Sequence, residues 1–242
     1  MALSPLLSFL IKATRKSTRL LSRDYFELEN LQNSKRPTTD FVSRSKAKVE
    51  EDLRLELSKY PSSVISSSLG SYDALKAMHF IIDPLDGERN LGRAIPFFAS
   101  IVVACEHKDG ALLPLASVIS FPALGEIVYA DHGRGAYSER SIDNSSQHAL
   151  RLRVSANNSL DNALIATNIT GIENSRVIGC DIYSAYLVAS GKADVLLSNT
   201  MSDAMQLAAG QIIHEAGGRT HSNKEIAGIV ARFSASNGCL GL

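Results

Sequence analysis

No tryptophan occurs in the 242 residues, cysteine occurs only three times, and neither sign of charge is in excess. Each shortage excludes something. Cys105, Cys180 and Cys239 are odd in number, widely spaced and without a Cys-x-x-Cys pair. They make neither a disulfide framework nor a zinc site, and a reducing, cytoplasmic setting is expected. Lys+Arg and Asp+Glu number 25 each, which removes bulk attraction to nucleic acid or to an anionic membrane. Nucleic acid is left as an indirect partner at most. No run approaches the ~20 apolar residues that cross a bilayer, so no membrane partner is expected.

What the chain does have is apolar mass, 45% of its residues, enough for one large domain or two closely packed ones. The first 23 residues carry no acid, as organelle transit peptides do. However, Leu3, Leu6, Leu7, Leu10, Thr14 and Leu21 share a helical stripe, so an ordinary first helix is expected over 4–28. A second is expected over 43–60, stopped by Pro61. Short strands follow at 64–68 and 79–83. Residues 97–138 read as antiparallel strands, broken at Lys108-Asp109-Gly110 and at Pro122–Gly125.

The polar stretch 141–147 is the expected boundary between an N-terminal half, 1–140, and a C-terminal half, 141–242. The second half alternates: strands at 150–155 and 163–169, a helix at 180–191, a strand at 193–198 and a helix at 203–217. Asp203 is the expected N-cap of the last helix and Gly217-Gly218 its stop. The class is α/β, with helical layers around two packed sheets.

The chemistry concentrates in FIIDPLDGERNLG, residues 80–92. An apolar strand delivers Asp83 and Asp86 to one small turn. Two such charges at 4 Å repel by about 4 kcal/mol at an effective dielectric of about 20. A cation, a lysine or arginine, or open solvent must offset this. Asp83, the Leu85 carbonyl and Asp86 are oxygen ligands of the kind Mg²⁺ takes. The plainer alternative is a tight turn with solvated acids. Ser68 with His79 makes no convincing nucleophile–base pair without an oxyanion-hole motif.

DPLDGERN, followed by FFASI at 97–101 and LAAGQIIHEAGG at 207–218, resembles the two signatures of the inositol monophosphatase family, which includes the bacterial SuhB proteins. DFVSRSKAKVEE, YADHGRGAYS and YLVASGKAD align in order between and around them. The resemblance implies a layered αβαβα sandwich, a homodimer, and Mg²⁺-dependent hydrolysis of a small phosphomonoester such as an inositol phosphate. The metals would lie between the aspartate turn and the start of the last long helix, where one ion activates the attacking water.

Carried over residue by residue, Asp83, Leu85 and Asp86 match the metal ligands, and Gly87 and Asn90 match their neighbours. Elsewhere the pattern departs. The water-activating glutamate is replaced by Ser68, and Glu88 stands where a threonine orients that water. Lys46 stands in place of an aspartate, and Ala204-Met205 in place of Trp-Asp. The substrate loop reads Gly179-Cys180-Asp181, and the sugar-binding glutamate is Ser198.

Charge is therefore removed from the metal cage. Lys46 or Arg89 is the expected counter-charge to the turn, and Glu88 is the candidate replacement base, with Asp83 beside it. Two functions follow: a phosphatase of weak or impaired activity, or a non-catalytic SuhB-like binding protein, linked to RNA or transcription.

Overall fold

The computed structural model describes residues 3–31, 38–61, 63–66, 73, 75–140, 149–226 and 229–240. The expected boundary at 141–147 and the position Ser68 lie outside the described residues.

Helix α1 (Pro5–Leu31) begins where the sequence permits a helix to begin. Ser4 Oγ accepts the Leu7 amide at 3.1 Å, and Pro5 occupies the first helical position, where no amide is needed. Leu7, Leu10, Leu21 and Leu28 are buried. Between them the buried face is Thr14, Ser17 and Thr18, small enough for close approach to the sheet. There the Thr18 hydroxyl meets that of Ser120 at 3.0 Å. Helix α2 (Thr39–Leu57) starts four residues before the expected position and ends before Pro61, burying Val42, Val49, Leu53 and Leu57.

Both helices pack on a seven-stranded sheet. Its strands are β1 (Ser63–Ser66), β2 (Met78–Asp86), β3 (Ala99–Lys108), β4 (Ala111–Phe121), β5 (Glu126–Asp131), β6 (Gly135–Arg140) and β7 (Leu150–Arg151), in that spatial order. Only β1 and β2 are parallel. The antiparallel strands expected between 97 and 138 are present, as β3 to β6. Strand β7 is shorter than expected because the chain leaves the ladder: the Val154 amide turns to the Ala216 carbonyl. A four-residue helix, α3 (Glu88–Leu91), follows β2.

The second sheet has the order β11 (Arg219–Ile226), β12 (Ile229–Ser236), β10 (Val195–Ser198), β8 (Ile165–Thr167), β9 (Ser175–Arg176). Helices α4 (Asp181–Ala189) and α5 (Asp203–Glu215) lie between the sheets, in a core that takes side chains from both. The layer order is therefore helix, sheet, helix, sheet. Over the outer face of the second sheet is a small apolar cluster of Ala163, Val195, Leu197, Ala231 and Leu240, and no helix covers it among the described residues.

One sequence reading is corrected: Ser202, not Asp203, caps α5, and its Oγ accepts the Met205 amide. Glu215 accepts the amides of Gly133 and Gly135 at 2.6 and 2.7 Å, which ties the Gly-Arg-Gly turn to the end of α5.

Candidate functional site

Strand β2 is fully buried through Phe80, Ile81 and Ile82, then breaks register. Asp83 pairs with Ile101 and Asp86 with Ala99, so β2 carries one extra residue there. Pro84, having no amide, suits the interruption. The bulge turns both carboxylates out of the ladder and sends each to the start of a different helix.

Asp83 Oδ2 accepts the Ser202 hydroxyl at 2.7 Å, at the N-cap of α5, and its Oδ1 takes the Leu85 amide at 3.3 Å. Asp86 Oδ2 accepts the Ile182 amide at 3.0 Å and the Cys180 thiol at 3.2 Å, at the first turn of α4. Helix starts present unpaired amides and a partial positive charge. These contacts offset part of the repulsion in the turn, and protonation of Asp86 takes up the rest. Lys46, expected as counter-charge to the turn, bonds Glu88 Oε1 at 2.5 Å and acts on Asp83 through its charge.

The electrostatics follow from this geometry. Burial pushes the Asp86 carboxyl up to about 7, and the nearby charges of Asp181 and Asp83 add to the rise; the Ile182 amide and Cys180 thiol pull the other way. Burial and the adjacent Asp86 also raise the Cys180 thiol well above its ordinary range. Burial would lower the Lys46 ammonium, but its Glu88 bond and the charges of Glu88, Asp83 and Glu50 hold it above 10.5.

A stability prediction comes with Asp86. An unfolded aspartate ionises near 3.9, so between about pH 4 and pH 7 the native state binds the extra proton. Its contribution is complete below the unfolded value and is lost as pH rises through about 7. Urea unfolding in chelator is expected to show about 3 kcal/mol less stability at pH 8 than at pH 5 from this group. Asp86→Asn is expected to remove that part of the slope, and an unchanged slope in the variant would refute the assignment.

Around this centre, the Asn90 amide donates to the carbonyls of Phe97 (2.8 Å) and Ile178 (2.9 Å), holding α3 against the loop before α4. Gly179 lies under it, at φ +76°, where a Cβ would sit 3.1 Å from the Asn90 side chain. Asp181 Oδ2 accepts hydrogen bonds from Asn168 Nδ2, Ser198 Oγ and Thr200 Oγ1 at 3.0, 2.7 and 2.7 Å. Met205 is buried in the apolar core between the sheets. Asn168, Thr200 and Ser202 were not singled out by sequence. Of these only Ser202 carried a local signal, as a serine immediately before a helix.

Asp83, the Leu85 carbonyl and Asp86 could hold a hard cation. Yet one oxygen of each carboxylate is engaged by a helix start, and Glu88 is held by Lys46. Among the described residues no three His, Cys, Asp or Glu side chains converge as a metal-binding group. The donors among the described residues do not fit a cage for two or three ions.

The chain resembles known proteins over most of its length. A histidinol-phosphatase of Mycobacterium tuberculosis is 30% identical over 226 residues, 86% of this chain and 84% of the relative. An inositol-1-monophosphatase of Mesorhizobium japonicum is 36% identical over 140 residues, 57% of this chain. That match spans about half of the relative's length, 51%. Among solved structures, the extragenic suppressor protein SuhB of Bartonella henselae superposes with a TM-score of 0.75 at 25% identity, covering 98% of this chain and 94% of that one. With the model of the inositol monophosphatase family matching residues 2–225 as well, the chain belongs to that family.

Proposed function

We propose that the chain binds a small phosphomonoester at the aspartate turn and hydrolyses it weakly. The observation that carries this reading is the ion pair of Lys46 with Glu88 at 2.5 Å, beside Asp83. A fixed ammonium there opposes a divalent ion, and it occupies the one carboxylate expected to stand in as base. Glu88 would have to release Lys46 before it could take a proton from water. The candidate ligands are phosphates of the kinds that the relatives' names carry, inositol 1-phosphate and histidinol phosphate, and the working unit is a homodimer.

Titration of Mg²⁺ by calorimetry, with phosphate release measured on both esters, tests this. Mg²⁺ is expected to bind no tighter than about 1 mM. Residual turnover is expected to fall about tenfold in Asp86→Asn. Micromolar Mg²⁺ affinity with fast turnover would refute the reading. Binding of neither ester, with no turnover, would instead favour the second reading, a non-catalytic regulatory protein. Its support is the likeness to SuhB.

A further inference from the structure

Two cavities open along α1, and neither shares a residue with the aspartate turn. The larger, about 520 Å³, is lined by Ser8, Ile11, Lys12, Arg15, Lys16 and Arg19. The smaller, about 210 Å³, lies between α1 and the β4–β5 turn, where Arg15, Arg19 and Ser22 are joined by Ser120, Pro122 and Gly125. Arg15 and Arg19 line both, so the two meet in one groove.

The four cations of this row are not equally matched. Arg15 is held by Glu139 and Lys16 by Glu56, each at 2.6 Å, and both acids are only 13% exposed. Each acid has a further donor: Tyr129 gives its hydroxyl to Glu139, and Lys59 pairs with Glu56, both at 2.7 Å. Lys12 and Arg19 are exposed, and neither side chain has a partner among the described residues. They stand seven residues apart in one helix, which puts them on one face and about 10 Å apart along its axis. Each has a serine about one turn further out, Ser8 before Lys12 and Ser22 after Arg19. Neither serine hydroxyl has a partner among the described residues.

A cation beside an open hydroxyl is a seat for an oxyanion, because it supplies charge-assisted and neutral donors together. Here two such seats flank a middle whose charge is already cancelled. A uniform polyanion would lay negative charge beside Glu56 and Glu139. A molecule with two anionic ends and a neutral middle meets a cation at each end and neither acid between them.

We propose that the α1 groove binds a small soluble molecule carrying two phosphate groups about 10 Å apart on a neutral backbone. Lys12 and Ser8 take one phosphate, and Arg19 and Ser22 take the other. This is a second binding site, and it stands whether or not the aspartate turn binds a monoester.

Calorimetry on the full chain with two bisphosphates of equal charge tests it. Hexane-1,6-diol bisphosphate, long enough to reach both seats, is expected to bind about tenfold tighter than ethylene glycol bisphosphate, which reaches only one. Phosphate bound at the aspartate turn is open to both ligands, so the difference between them reads the groove. Lys12→Gln and Arg19→Gln are each expected to erase that difference, and Arg19→Lys to keep most of it. Both positions are exposed, so melting curves of the variants are expected to match wild type.

Equal affinity of wild type for the two bisphosphates overturns the inference, as does binding of neither. A difference that survives Lys12→Gln combined with Arg19→Gln overturns it as well, because the long ligand would then be held elsewhere.

Discussion

Gly87→Val is expected to lower the melting temperature by about 10 °C, equivalent to about 4 kcal/mol in a chain of this length. Gly87 sits between the two halves of the site, directly after Asp86 and before α3, with φ +83° and ψ 32°. A β-branched residue in that left-handed region is strained before any contact is considered, at a cost of about 1–2 kcal/mol. The contacts add more. A Cβ there would lie 2.7 Å from the Phe97 carbonyl oxygen, 3.0 Å from Phe98 Cα and 3.1 Å from Phe98 Cβ.

Neither neighbour is free to move. The Phe97 carbonyl accepts the Asn90 amide, and the Phe98 ring is fully buried, 5.8 Å from that of Tyr25. Gly87→Asn separates the two causes. Asparagine tolerates the left-handed conformation but carries the same Cβ, so it is expected to recover only part of the loss. Full recovery by asparagine would mean that the close approach to Phe97 is relieved at no cost. Wild-type stability in the valine variant would refute the geometry of the turn altogether.

How much of this was legible in the sequence follows from how local each contact is. α1, α2 and the strands between 97 and 138 announce themselves by apolar period and by turns, and they are present. The final hairpin of β11 and β12 went unread, and its residues explain why. Arg219, Thr220, His221, Ser222 and Asn223 are polar, because β11 lies at a sheet edge. In β12 the buried alternation is carried by Ala231, Phe233 and Ala235, mostly too small to stand out.

At the site, Asp83 and Asp86 were legible because they sit three apart in one turn. What stabilises them was not. Ser202 lies 119 residues beyond Asp83, and Ile182 lies 96 beyond Asp86. No spacing rule connects such pairs; only the packing of α4 and α5 between the sheets does. The same distance problem hid the bonded partner of Lys46. The helix that carries Lys46 points it at Glu88, 42 residues on.

Lys46→Asp is expected to tighten Mg²⁺ binding at the aspartate turn about 100-fold, a change of about 3 kcal/mol. The substitution removes a positive charge that acts on Asp83, adds a negative one, and frees Glu88 from its ion pair. A unit charge at about 4 Å contributes roughly 4 kcal/mol at an effective dielectric of about 20, so a two-unit change has ample reach. Solvent reduces it, since 39% of the Lys46 side chain and 48% of that of Glu88 are exposed.

Lys46→Met separates charge removal from ligand gain. It takes away the ammonium without supplying an oxygen, and is expected to give about a tenfold gain on its own. Stability is a poor explanation for either result, because a half-exposed ion pair contributes at most about 1 kcal/mol to folding. Calorimetric titration of Mg²⁺ into wild type and both variants reads the series directly. If Lys46→Asp binds Mg²⁺ no better than wild type, the ammonium is not what opposes the cation. The limit would then lie with the carboxylates, whose oxygens at Asp83 and Asp86 are already held by the starts of α5 and α4.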